Sequence, residues 1–173
     1  WDLAPHDISI VLHLLGTKPE KIEVYGMDCA IKGVHDVAFM NLVFPKGILV
    51  HIHVSWLDPC KVRRVTVVGS KKMVVYNDVE ATEKIKIYDK GVNVPAYTST
   101  FGEFQCSYRY GDVTIPTIKF TEPLKVEVQH FLDCISGHCK PVTCGEEGMQ
   151  VVKILETAQH ALSNGHYAED MKW

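Results

Sequence analysis

Between residues 22 and 88 short β-rich runs alternate with turn residues, and the turns are too brief for anything but antiparallel pairing. The runs cover 22–28, 37–44, 48–57, 62–68, 73–77 and 84–88. In the clearest, Ile48, Val50, Ile52, Val54 and Trp56 share one face, with Leu49, His51, His53 and Ser55 on the other. Pro45-Lys46-Gly47, Asp58-Pro59, Gly69-Ser70 and Asp89-Lys90-Gly91 supply the reversals. A parallel crossover needs roughly a dozen residues or more. A mostly antiparallel sheet is therefore expected.

Helical patterns flank this block. Ile8, Val11, Leu12 and Leu15 fall on one helical stripe, closed by Gly16. Residues 92–121 read as less regular, with one or two strands around Phe104–Tyr110 and Val113–Ile118. Pro123 suits a first helical position, with Val128, Phe131, Leu132 and Ile135 on the side expected to be buried and Gly137 as the stop. Thr143-Cys144-Gly145-Glu146 reads as a capping box opening a last helix, with Val151, Leu155, Ala158 and Leu162 on one stripe. Asn164-Gly165 closes it.

Helix, about eight strands, helix, helix indicates an α+β fold: a large, mostly antiparallel open sheet with helices on one face. A single domain over residues 1–173 is expected from the length. Both faces of 37–44 and 48–57 carry apolar side chains, where a solvated face should be polar. The uncovered face is therefore expected to oligomerise, unless segment 92–121 folds over it.

A net charge of −3 with scattered basic residues gives no nucleic-acid surface. No apolar run reaches the roughly 18 residues of a membrane span, and no secretion signal is evident. Six cysteines in 173 residues fit reduced thiols in the cytoplasm better than a disulfide framework.

The candidate chemistry begins at Trp1-Asp2-Leu3-Ala4-Pro5-His6-Asp7. Asp2 and His6 are about one helical turn apart, so a carboxylate could orient and charge an imidazole for proton transfer. Spacing alone favours an ordinary helix start in which Asp2 complements the dipole. His13 reads as a hydrogen-bonded histidine at the edge of the core. His51 and His53 point the same way, about 7 Å apart. They could share a metal in a hydrolase, but no third ligand is evident, so they are assigned to a partly buried sheet face. Cys134, His138, Cys139 and Cys144 match no usual zinc spacing, and no metal is expected. Cys29, Cys60 and Cys106 have no evident base nearby in sequence. Neither a G-x-G-x-x-G nor a G-x-x-x-x-G-K-[ST] motif occurs.

The chain resembles the C-terminal domain of the glucose–fructose oxidoreductase, inositol dehydrogenase and MocA (Gfo/Idh/MocA) family. The residues that carry the likeness are Trp1-Asp2-Leu3-Ala4-Pro5-His6-Asp7-Ile8, Ser55-Trp56-Leu57-Asp58-Pro59 with Lys61-Val62-Arg63, and Val67-Val68-Gly69-Ser70 with Met73. Glu122-Pro123-Leu124, His130-Phe131-Leu132-Asp133-Cys134-Ile135 and the last helix extend it. The texture is most similar to nucleotide-sugar 3-dehydrogenases. The resemblance implies that Asp2 and His6 line a substrate site, with His6 donating or accepting a sugar hydroxyl proton. Ala4 stands where the family often has Gly. The family's N-terminal Rossmann domain, which binds NAD or NADP and supplies a lysine in Glu-Lys-Pro, has no counterpart here; Glu20-Lys21 and Glu83-Lys84 lack the proline.

The chain, without an initiator methionine, is thus expected to be the substrate-binding, oligomerising part of an NAD(P)-dependent sugar or nucleotide-sugar dehydrogenase. It should be inactive alone, and should form a homodimer or homotetramer through the sheet face. The alternative is a non-catalytic dimerisation or ligand-binding domain.

Overall fold

The structure, a computed structural model, describes residues 1–93, 107–119, 121–165 and 168–173. Its elements are α1 (Ala4–Leu15), β1 (Lys21–Met27), β2 (Val37–Phe44), β3 (Ile48–Ser55), β4 (Arg64–Val68) and β5 (Met73–Asn77). They continue with β6 (Ile85–Asn93), β7 (Ser107–Thr114), α2 (Pro123–Ile135), α3 (Gly145–Asn164) and β8 (Ala168–Asp170). The fold is α+β and every strand pair is antiparallel, as expected. In place of the one large sheet expected, the described strands fall into two four-stranded sheets, ordered β3-β2-β1-β8 and β4-β5-β6-β7. The division follows β3 at Asp58-Pro59, where proline has no N–H to carry a ladder onward. Two compact units result: residues 1–58 with 127–173, and residues 59–126.

The first unit holds the core. Alternation on β1, β2 and β3 turns Ile22, Val24, Met40, Leu42, Phe44 and Ile52 to one face. α1 lays Ala4 and Ile8 in the same cluster, and α3 adds Ile154, Leu155, Ala158 and Ala161. Full burial of such a side chain is worth about 1.5–3 kcal/mol, so the covered face sets the register of this sheet. Gly16 ends α1 in the left-handed region, at φ 60°, its N–H donating to the Leu12 carbonyl at 2.9 Å.

Four further sequence expectations change. The α3 cap lies one residue later than the Thr143 reading: the Cys144 N–H donates to the Glu147 carboxylate at 2.7 Å. The carboxylate three residues beyond the cap fixes the start, and Glu146 and Glu147 both offered one. β8 was not anticipated, because three residues are too short to show alternation. It is held by the Met171 N–H donating to the Glu20 carbonyl at 2.8 Å, with Met171 buried.

α2 forms over the expected residues, but its stripe is not buried: Phe131 is 64% and Ile135 68% exposed. Apolar spacing specifies a stripe and leaves its partner open. Finally, one strand, β7, takes parts of both runs expected between 104 and 118, ending just before Ile115-Pro116. Phe104–Cys106 lie outside the described residues.

The second unit is built differently. Asp78 accepts a hydrogen bond from the Tyr76 hydroxyl at 2.8 Å and faces Lys84 Nζ at 3.5 Å and Arg63 Nη1 at 3.8 Å. Asp89 pairs with Arg109 at 2.8 Å, and Lys90 Nζ lies over the rings of Tyr88 and Tyr110. No apolar side chain of residues 59–126 is buried among the described residues.

Candidate active-site cleft

An open cleft of about 480 Å³ lies in the first unit, beside the N-terminal end of α1. Trp1, Asp2 and Ala4 line one side, His35 and Asp36 come from the β1–β2 connection, and Trp56 follows β3. Gln159 reaches in from α3. The two indoles are largely exposed, Trp1 at 61% and Trp56 at 65%. Flat aromatic faces beside a carboxylate, an imidazole and an amide suit a polar ligand with an apolar side.

The β1–β2 connection is held by its own backbone. Asp36 accepts the Ala30 N–H on its carboxylate at 2.7 Å, donates its own N–H to Met27 and accepts the Trp56 N–H on its carbonyl at 2.9 Å. That last bond fixes the start of the Trp56 segment. Asp28 accepts the Gly33 N–H at 2.7 Å, which holds its carboxyl below the usual carboxylate range. Gly26 makes room for His35: a Cβ there would stand 2.8 Å from the ring Cδ2.

The two residues of the expected proton-transfer pair sit at the start of α1, one before the helix and one within it. α1 begins at Ala4, so Asp2 precedes the helix while His6 sits in its first turn. Both are exposed; Asp2 lines the cleft and His6 does not, and no hydrogen bond is seen between them. A spacing of four makes helical neighbours only when both residues are helical.

His13 is exposed instead of lying at the core edge, and lines a second cavity of about 310 Å³ with Lys18 and Glu147. His51 and His53 do share a face, but they are exposed and stack on Phe39, at 6.3 and 4.6 Å between ring centroids. His51 Nδ1 also meets Asn41 Oδ1 at 2.8 Å. Among the described residues no third ligand joins them. Cys29 and Cys60 are exposed free thiols, and Cys106 lies outside the described residues. Cys144 Sγ is taken up with Glu146 at 2.7 Å, whose carboxylate raises the thiol's pKa. Cys134 and Cys139 do approach one another, at 3.5 Å.

Sequence reasoning passed over His35, Asp36 and Gln159 in the cleft. His35 and Asp36 carried no periodic signal, because they sit in a turn. Trp56 had been noted, though not as part of a cleft.

Among the described residues, no helix is long and apolar enough to cross a membrane.

Residues 1–75 match the GFO/IDH/MocA C-terminal domain family. Of the solved structures, the UDP-N-acetylglucosamine 3-dehydrogenase GnnA from Acidithiobacillus ferrooxidans is similar with a TM-score of 0.72 and 18% identity, over 94% of this chain and 46% of that one. The WlbA dehydrogenase from Bordetella pertussis, in complex with NADH and UDP-GlcNAcA, gives 0.64 and 21%, over 98% and 44%. The aldose-aldose oxidoreductase from Caulobacter crescentus, complexed with glycerol, gives 0.70 and 14%, over 98% and 46%. At these identities the likeness is one of fold, and the chain spans less than half the length of each. No curated protein matches the sequence. The family likeness read from the sequence stands, anchored on residues 1–75.

Proposed function

From a GFO/IDH/MocA C-terminal domain carrying an open polar cleft, we propose that this chain is the substrate-binding and oligomerising part of an NAD(P)-dependent sugar or nucleotide-sugar dehydrogenase. The observation that carries this reading is the position of the cleft: it opens beside Asp2, inside the segment that matches the family. The WlbA structure, which holds NADH and UDP-GlcNAcA, supports a nucleotide sugar as the substrate class.

In this reading Trp1 and Trp56 offer apolar faces to the sugar ring, while Asp2, His35 and Gln159 take its hydroxyls. His6 donates or accepts the proton of the reacting hydroxyl, and Asp2 supplies negative charge at the same end of α1. The nicotinamide supplies the hydride chemistry when bound. In this reading it is bound mainly by an N-terminal Rossmann domain. The five cysteines among the described residues are all free thiols, which accords with the reducing cytoplasm of this reading.

In the full-length enzyme, His6→Ala is expected to lower kcat by about 100-fold or more, with the circular dichroism spectrum unchanged. Unchanged turnover would remove His6 from the mechanism and favour a non-catalytic binding domain. Residues 1–173 alone should reduce no NAD or NADP with any sugar.

The open face of the first sheet serves a second copy of the chain, as a homodimer or homotetramer. Tyr25, Phe39 and His53 stand in register across β1, β2 and β3, with Leu49 on the same face at 67% exposure. Phe39→Glu would place a charge in that row and is expected to shift the protein toward monomer in sedimentation velocity. An unchanged assembly would move the interface elsewhere.

A further inference from the structure

His130, Cys134 and Cys139 bring three potential metal ligands together, their ligand atoms all within 4.8 Å of one another. His130 and Cys134 lie four apart on α2, one turn along the same face. Cys139 follows the helix, where Gly137 at φ 76° turns the chain back. The two sulfurs stand 3.5 Å apart, Cys134 Sγ lies 3.6 Å from His130 Nε2, and Cys139 Sγ lies 3.6 Å from His130 Nδ1.

These separations decide between a metal and a chance cluster. A tetrahedral zinc ion with Zn–S near 2.3 Å and Zn–N near 2.0–2.1 Å sets its sulfurs about 3.8 Å apart and sulfur and nitrogen about 3.5–3.6 Å apart. The sulfur pair and one sulfur–nitrogen pair already stand near those spacings. The two 3.6 Å approaches go to different ring nitrogens, so the His130 ring must turn to bring one nitrogen close to both sulfurs, from a starting arrangement in which the three ligand atoms lie within 4.8 Å. We propose that His130, Cys134 and Cys139 form a binding site for a single zinc ion, with water as the fourth ligand.

Two thiolates and an imidazole are a donor set zinc favours over magnesium or calcium, which prefer oxygen. On binding, the two thiols release their protons to solvent and each sulfur forms a bond to the ion. His130 also changes its bonding. Its Nε2 now accepts the Val142 N–H at 3.1 Å, and a neutral metal-bound imidazole has one nitrogen on the ion and a proton on the other. Whichever nitrogen binds, the Val142 amide must find a new partner, so the metal would reshape the segment leading into α3. Cys144 and His138 are outside the set. The sequence spacing set the cysteines beside His138, whereas the helix supplies His130 one turn before Cys134.

The test is a titration of the full-length protein, purified metal-free under reducing conditions, with Zn2+ and separately with Co2+. One equivalent of each should bind, and cobalt should show thiolate charge-transfer absorption and tetrahedral visible bands. Cys134→Ser, Cys139→Ser and His130→Ala should each lose the charge-transfer band or weaken it. Cys144→Ser and His138→Ala should retain it. Absence of stoichiometric binding would overturn the proposal. So would loss of the band in Cys144→Ser, or a mass showing Cys134 and Cys139 joined as a disulfide in protein taken from reducing cytoplasm.

Discussion

The two sheets have the same number of strands and the same antiparallel pairing, yet they are held by different forces. In β3-β2-β1-β8, one face lies under α1 and α3, and every buried apolar side chain of the described residues belongs to that layer. In β4-β5-β6-β7 the valines and isoleucines whose side chains are described are half-buried or exposed, and the named contacts between side chains are charged or aromatic. Strand propensity and turn chemistry suffice to pair either sheet. Only helices supplied by the same unit give one of them a dry face. The first sheet should therefore respond to lost volume, and the second to lost charge.

The largest effect expected from this contrast is in the first sheet. Phe44 is fully buried at the end of β2, and Phe44→Ala should cost about 3–5 kcal/mol through lost transfer energy and the cavity left behind. Urea unfolding followed by circular dichroism measures it. A loss below about 1 kcal/mol would mean that the layer does not carry the unit's stability.

Next in size is the Asp78 cluster of the second sheet. Asp78→Ala should cost about 1 kcal/mol, because the carboxylate is partly exposed and its ion pairs are screened. The loss should be local, read as faster amide hydrogen exchange in β5 and β6 with β1 and β2 unchanged. Acid should do the same. The Tyr76 hydroxyl first, then Lys84 and Arg63, holds the Asp78 carboxyl below its usual value of 3.8. A depressed carboxylate stabilises the fold above its unfolded value, and that contribution is lost as pH falls through the lower, folded one. As pH falls below 3.8, exchange should therefore rise in β5 and β6 before β1 and β2, whose core contains no buried polar group. The reverse order would break the comparison.

The same contrast explains what the sequence revealed. The class, the antiparallel pairing and the positions of β1 to β6 were legible because turn residues and alternation are local signals. So were α1 and α3, whose stripes match the cluster they enter. Burial of α2 was not legible, because Val128, Phe131, Leu132 and Ile135 mark a stripe without naming what covers it. At the candidate site, Asp2 was readable as a cleft residue only through family likeness, and that α1 starts at Ala4, leaving Asp2 outside the helix, was not readable from the spacing. His130 joins Cys134 and Cys139 through one helical turn plus a reversal at Gly137, a combination that no fixed ligand spacing describes.

The smallest effect sharpens the comparison from the other side. Lys21 and Asp170 join β1 to β8 at 3.6 Å, but their side chains are 64% and 78% exposed. Such a pair gains little Coulomb energy in water and spends side-chain entropy, so Lys21→Ala should change stability by less than about 0.5 kcal/mol. β8 would then be kept in place by its ladder to β1, by the Met171 N–H on Glu20, and by the Trp173 indole N–H donating to the Pro19 carbonyl at 2.8 Å. Met171→Ala removes buried volume and should cost several times more, at the lower end of about 2–5 kcal/mol because the site lies at the core margin. Measured side by side in urea, the two substitutions ask whether an edge strand of the first sheet follows its covered face or its surface charge. A larger loss from Lys21 than from Met171 would place β8 with the charge-held sheet, and the division of forces would no longer follow the division of strands.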